Sequence, residues 1–159
     1  MDIQSTHYTL ILLHATAATL AFFAGCLLVF SPASLSNQRV FNLYLWSLIA
    51  MVLLLAGAIL IYWREYSSVE RIIFPGLLGL ALFMLFRAWG AGLVFATQQN
   101  HWKLGYVEHI GFTLISLFEG FIIVGGIDLG LPVWLVAAVA TAGLLAGRWL
   151  IGLAKQRVA

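Results

Sequence analysis

The stretch FNLYLWSLIAMVLLLAGAILIYW, residues 41–63, decides the fold class of this chain. It contains 23 residues and no Asp, Glu, Lys or Arg. A helix of this length extends about 35 Å, enough to cross the roughly 30 Å hydrocarbon core of a bilayer. The stretch is continuously apolar and does not alternate with period two, so we predict a membrane-spanning helix rather than a barrel strand.

Four further apolar stretches have a comparable length. Short segments rich in Ser, Pro, Gly or charged residues separate them, and such segments end helices. The predicted spans are residues 8–30, 41–63, 72–96, 108–127 and 132–153. The sequence therefore predicts an all-α fold. Residues 1–159 would form a single membrane domain, an integral-membrane helical bundle of about five transmembrane helices.

The composition excludes several classes of protein. Apolar residues make up 63% of the chain and charged residues only 9%, against about 25% charged residues in soluble domains. A net charge of +2 is too small for a nucleic-acid-binding surface, so we expect no nucleic-acid partner. Walker, HExxH, CxxC and GxSxG motifs are absent, which favours a role other than catalysis.

The distribution of basic residues predicts the orientation in the membrane. The side that holds the N-terminus has only Arg64 and Arg71. The opposite side has Arg39, Lys103, Lys155 and Arg157. By the positive-inside rule we expect a cell inner-membrane protein with its N-terminus outside and its C-terminus in the cytoplasm. Aromatic residues near span ends, among them Tyr44 and Tyr106, are predicted to lie at the water interfaces.

Two charged residues interrupt otherwise apolar spans. Arg87 lies within the third span and Glu119 within the fourth. A charge at mid-bilayer costs at least ~2.5–3.5 kcal/mol, so it normally faces inward and finds a partner. Their Cα depths differ by roughly 8 Å at the helical rise, which predicts an Arg87–Glu119 pair. The alternative is that Arg87 extends toward the cytoplasmic interface.

Two more polar residues extend this predicted cluster. Ser116 precedes Glu119 by three residues, and His14 lies within about 5 Å of the depth of Glu119. We therefore predict a ligand or proton site formed by His14, Arg87, Ser116 and Glu119. In this interpretation Glu119 accepts a proton or a ligand donor, Arg87 sets its charge state and His14 relays protons outward. A purely structural ion pair stays open as the alternative.

The histidines support a second functional interpretation. A b-type haem needs axial ligands, and the candidates for a haem or metal site are His14, His101 and His109. An electron-transfer subunit that binds haem or quinone therefore stays open.

A third interpretation is an accessory or assembly subunit of a larger membrane complex. Ala17, Ala21 and Gly25 recur every four residues, and Gly143 and Gly147 have the same spacing. Such small residues allow close helix packing. We expect them to pack within this chain, with a second copy or a partner membrane subunit as the alternative. The lipid bilayer is the partner that the composition requires.

The chain resembles a family of small bacterial multi-pass membrane proteins of unassigned function. The similar residues are His14, Gly25, Gln38-Arg39, Tyr44, His109 and Leu131-Pro132. The family more often has a histidine at the position of Gln38 and a glycine near Asn42, and this chain has neither. The resemblance implies a helical membrane bundle with functional histidines, and it implies no particular reaction.

Overall fold

The computed structural model describes residues 3–68, 70–98 and 101–158, and these form five long helices without a strand. The helices are α1 (Ile3–Phe30), α2 (Gln38–Tyr62), α3 (Glu70–Thr97), α4 (Trp102–Asp128) and α5 (Val133–Val158). Each is long and apolar enough to cross a membrane. The predicted all-α, multi-pass membrane bundle is confirmed. We call the membrane side of the N-terminus the N-side, and the side of the C-terminus the C-side.

The first four helices begin earlier than the apolar runs predict. α4 begins at Trp102, six residues before the predicted span. α3 begins at Glu70 because a capping box precedes it. The Ser67 amide donates to Glu70 Oε2 at 2.8 Å, and the Glu70 amide donates to Ser67 Oγ at 3.3 Å. These bonds satisfy amides that a helix start leaves free, so the charged segment before residue 72 belongs partly to the helix.

The first four helices form a ring, and α5 lies outside it. Along the ring α1 packs on α2, α2 on α3, α3 on α4, and α4 on α1, whereas α5 packs mainly on α4. Ala154 is the only buried residue of α5 in the described part of the chain. Its outward face exposes Trp134, Leu145 and Trp149, as contact with lipid requires. A second copy or a partner subunit at this face stays a prediction.

Small residues pack within the chain, as predicted. A Cβ added at Gly25 would lie 2.8 Å from a methyl carbon of Leu114. A Cβ at Gly143 would lie 2.6 Å from the ring of Phe118, and one at Gly147 would lie 2.8 Å from the side chain of Ile115. These glycines therefore allow α1 and α5 to approach α4 closely.

Aromatic side chains fill the C-side half of the ring. Phe95 stacks on Phe41 with 5.8 Å between ring centroids and lies 5.6 Å from Tyr106. Tyr44 and Tyr106 are fully buried, so their rings contact other helices rather than lipid headgroups. Thr113 Oγ1 donates to the Ile110 carbonyl, so the Tyr44 hydroxyl donates to Thr113. This bond connects α2 to α4 across the ring.

Candidate functional site

The N-side half of the ring contains a half-open cavity of about 190 Å³. All four ring helices line it, with Met51 and Met84 among the apolar side chains. His14 from α1 and Ser116 from α4 are its two polar side chains. The structure therefore brings together two of the four residues predicted to form a ligand or proton site.

A hydrogen bond fixes the imidazole of His14 at this cavity. His14 is half-buried, and its Nδ1 lies 2.9 Å from the carbonyl oxygen of Met51 on α2. A carbonyl oxygen only accepts, so Nδ1 carries the proton and donates. In the neutral imidazole, Nε2 then keeps its lone pair and acts as an acceptor. The hydrogen-bond partner of His14 is thus a backbone group of the neighbouring helix.

An aromatic cap lies at the N-side end of the cavity. We define it as His7, Tyr62, Tyr66 and Phe74. Phe74 lines the cavity and lies 4.7 Å from the ring of Tyr66. His7 stacks on Tyr62 at 4.3 Å, and Tyr62 lies 5.5 Å from Tyr66. Burial raises the pKa of Tyr66, and the nearby Glu70 carboxylate raises it further, so the Tyr66 hydroxyl stays protonated at neutral pH.

The structure does not form the predicted Arg87–Glu119 pair. Arg87 Nη2 instead donates to the Glu108 carbonyl at 3.4 Å, and its guanidinium carbon lies 5.3 Å from the ring centroid of Phe112. Glu108 and Glu119 are eleven residues apart on α4, which is about 16 Å. The long side chain of Arg87 therefore extends toward the C-side, as the alternative interpretation held.

Glu119 faces α5 rather than the cavity. Its Oε1 is buried without a hydrogen-bond partner among the described residues. The same oxygen lies only 2.9 Å from the position of a Cβ on Gly143. Three residues along a helix correspond to directions about 60° apart, enough for Ser116 to face the cavity while Glu119 faces α5. The four predicted site residues are thus divided among three places.

The three histidines predicted as haem or metal ligands lie apart. His101 is exposed in the connection between α3 and α4, with a φ of 61°. His109 packs against α3 where a Cβ on Gly90 would lie 2.8 Å from its ring. His109 precedes Ser116 at the cavity by seven residues, about 10 Å along α4. Haem ligation by two of these histidines does not fit this arrangement. No group of three or more His, Cys, Asp or Glu within the described ranges could hold a metal ion.

A second cavity, of about 250 Å³, lies between α1, α4 and α5. Phe22, Cys26 and Phe118 are among the side chains that line it. The Cys26 thiol is its only polar side-chain group, and a thiol is a weak hydrogen-bond donor. This cavity therefore lacks the strong polar group that distinguishes the cavity at His14.

Sequence reasoning missed two groups that shape the site. The Met51 carbonyl, which orients His14, is a backbone atom and has no sequence pattern of its own. The Tyr44–Thr113 bond joins residues 69 positions apart, and nothing in their local sequence predicts that they meet. No family model, curated protein or solved structure matches the chain, so its function must be inferred from the geometry of the site.

Proposed function

We propose that this protein binds a small, mainly apolar ligand with one hydroxyl group in the cavity at His14. The supporting observation is an imidazole held by the Met51 carbonyl at the wall of a cavity whose other side chains, apart from Ser116, are apolar. Ligand sites in proteins typically combine apolar walls with a few oriented polar groups.

The cavity volume indicates the size of the ligand, or of the ligand part, that fits beside His14. An engineered apolar cavity of about 150 Å³ binds benzene, so the 190 Å³ at His14 suits a single ring with a short substituent. A short-chain alcohol of similar volume would also fit. A whole haem is larger than this volume.

The hydrogen bond of His14 indicates which polar group the ligand carries. Because Nδ1 donates to Met51, the free Nε2 accepts, and a ligand hydroxyl is the complementary donor. Ser116 lines the same cavity and can donate to or accept from the same hydroxyl. An intramolecular bond of this kind contributes about 0.5–1.5 kcal/mol, up to roughly tenfold in affinity.

Calorimetry with two matched probes tests this proposal. The purified protein in detergent is titrated with 4-ethylphenol and with ethylbenzene, which lacks the hydroxyl. We expect up to roughly tenfold tighter binding of 4-ethylphenol, and loss of this preference in His14→Phe. The control His101→Ala removes an exposed loop histidine and should retain the preference. Equal affinity for the two probes, or an unchanged preference in His14→Phe, would overturn the proposal.

We also propose that the N-side faces the outside of the cell inner membrane, which puts the cavity in the outer half of the bilayer. The basic residues on the C-side support this orientation. Single cysteines at Ser5 and Ser36, in a Cys26→Ala background, test it. An impermeant thiol reagent should label Ser5→Cys in intact spheroplasts and Ser36→Cys only after lysis. The reverse pattern would contradict the proposed orientation.

A further inference from the structure

Arg87 has too few hydrogen-bond acceptors for a cation in a membrane helix. Its guanidinium makes one long bond, 3.4 Å, to the Glu108 carbonyl. In the described part of the chain no carboxylate oxygen lies within 4.0 Å of it, and its Nε is buried without a partner. The Glu108 carboxylate is bonded to another cation, Lys155 Nζ, at 2.9 Å. Arg87 therefore lacks the direct carboxylate partner that a charge in an apolar span normally has.

His109 adds a second unpartnered nitrogen next to this group. It follows Glu108 on α4 and packs against Gly90, one helical turn from Arg87 on α3. Its Nδ1 is buried without a hydrogen-bond partner among the described residues. The contact between α3 and α4 thus brings together a guanidinium and an imidazole with very few oxygen acceptors. Unsatisfied polar groups of this kind are costly, and an anionic oxygen would stabilise the guanidinium.

The level of Arg87 in the bilayer indicates where such an oxygen comes from. Glu108 and Lys155 form an ion pair near the C-side ends of α4 and α5, where charged residues reach water most easily, so their level lies near the C-side water interface. The guanidinium of Arg87 lies at the same level, because it donates a hydrogen bond to the Glu108 carbonyl. Further positive charge lies on the same side, at Arg39, Lys103 and Arg157. Basic pockets between transmembrane helices at such a level bind anionic lipid headgroups.

We infer that Arg87, at the C-side contact between α3 and α4, binds a phosphate group through its two terminal Nη nitrogens. Phe112 supports the guanidinium from the apolar side, with 5.3 Å between the guanidinium carbon and the ring centroid. Planar guanidinium groups bind phosphate oxygens in pairs, which suits Arg better than Lys at this position. The phosphate belongs to an anionic lipid or is free inorganic phosphate. This site is independent of the ligand proposed at His14.

Thermal unfolding in nanodiscs of defined composition tests the inference and separates the two sources. The protein is compared in pure phosphatidylcholine, in phosphatidylcholine with phosphatidylglycerol, and in pure phosphatidylcholine with inorganic phosphate at matched ionic strength. We expect phosphatidylglycerol to raise the wild-type midpoint by about 3 °C, as roughly 1 kcal/mol would in a chain of this size. A rise with inorganic phosphate as well would assign the site to phosphate itself. Equal wild-type midpoints in all three conditions would overturn the inference.

Matched variants distinguish a site at Arg87 from general surface charge. Arg87→Gln should lose at least half of the phosphatidylglycerol-dependent rise, and Arg87→Lys should lose part of it. Lys103→Gln removes an exposed charge on the same side and should keep the full rise. A full rise in Arg87→Gln would overturn the inference. If Arg87→Gln does not fold, phosphatidylglycerol retained by Arg87→Lys and by wild type is compared by native mass spectrometry, and equal retention contradicts binding through the guanidinium.

Discussion

The two halves of the four-helix ring are built from the same helices but are packed differently. In the C-side half, Phe41, Tyr44 and Tyr106 fill the interior, and Tyr44 is bonded to Thr113. In the N-side half, the same helices line a half-open cavity of about 190 Å³ at His14. Unfilled apolar volume normally costs stability. The contrast indicates that the C-side half holds the bundle together, whereas the N-side half is available for a ligand.

The largest expected effect comes from truncating the filled half. Tyr44→Ala should lower the free energy of unfolding by about 3–5 kcal/mol, as other large aromatic truncations in cores do. Phe74→Ala changes a half-buried ring at the cavity and should cost less than half as much. Denaturant titration of both variants in detergent measures the difference. Equal losses would show that the two halves contribute equally to stability.

The next largest effect on stability is expected from adding a side chain at one of two glycines, Gly25 in the filled half and Gly120 at the cavity. In the filled half, a Cβ at Gly25 would lie 2.8 Å from Leu114, so Gly25→Leu should cost about 1–3 kcal/mol. At the cavity, a Cβ on Gly120 would have no neighbour within 4 Å. Gly120→Leu should therefore fill the cavity, keep or raise the unfolding midpoint and block 4-ethylphenol binding. Strong destabilisation by Gly120→Leu, or retained binding, would contradict the contrast between the halves.

The smallest expected effect is the energetic coupling between Arg87 and Glu119, which line neither the filled half nor the cavity of the ring. Arg87 and Glu119 bind different parts of the molecule, so their energetic coupling should stay below about 0.5 kcal/mol. A double-mutant cycle with Arg87→Gln and Glu119→Gln measures this coupling from free energies of unfolding. Glu119→Gln alone should change stability little, since its buried Oε1 has no described partner to lose. Coupling above about 1 kcal/mol would contradict this expectation and support the Arg87–Glu119 ion pair that depth alone predicts.

The bundle could be predicted from the sequence because apolar runs of this length have few solutions in a membrane. The helix starts were less predictable. The capping box at Ser67 and Glu70 is a short polar pattern inside a segment that reads as a charged loop. Residues 102–107 are helical, although the apolar run predicts that the span begins at residue 108. Hydropathy indicates where a helix crosses the bilayer, and it does not indicate how far the helix continues into water.

The site could be predicted only in part. His14 and Ser116 were selected as polar residues in apolar spans, and both line the cavity. The Arg87–Glu119 pair was not formed, because matched depth does not determine the direction in which each side chain points around its helix. The Met51 carbonyl, which fixes His14, is identical in character to every other backbone carbonyl. The proposed relation to a family of small bacterial membrane proteins stays a prediction.

The central claim is that Nε2 of His14 accepts a hydrogen bond from a ligand in the N-side cavity. Nitrogen NMR of protein labelled at its histidines tests it most directly, with His14→Phe used to assign the resonance. During titration with 4-ethylphenol, the Nε2 resonance of His14 should shift and saturate while those of His101 and His109 stay unchanged. In Gly120→Leu the shift should be absent. A His14 resonance that does not move, or moves equally with ethylbenzene, would contradict the claim.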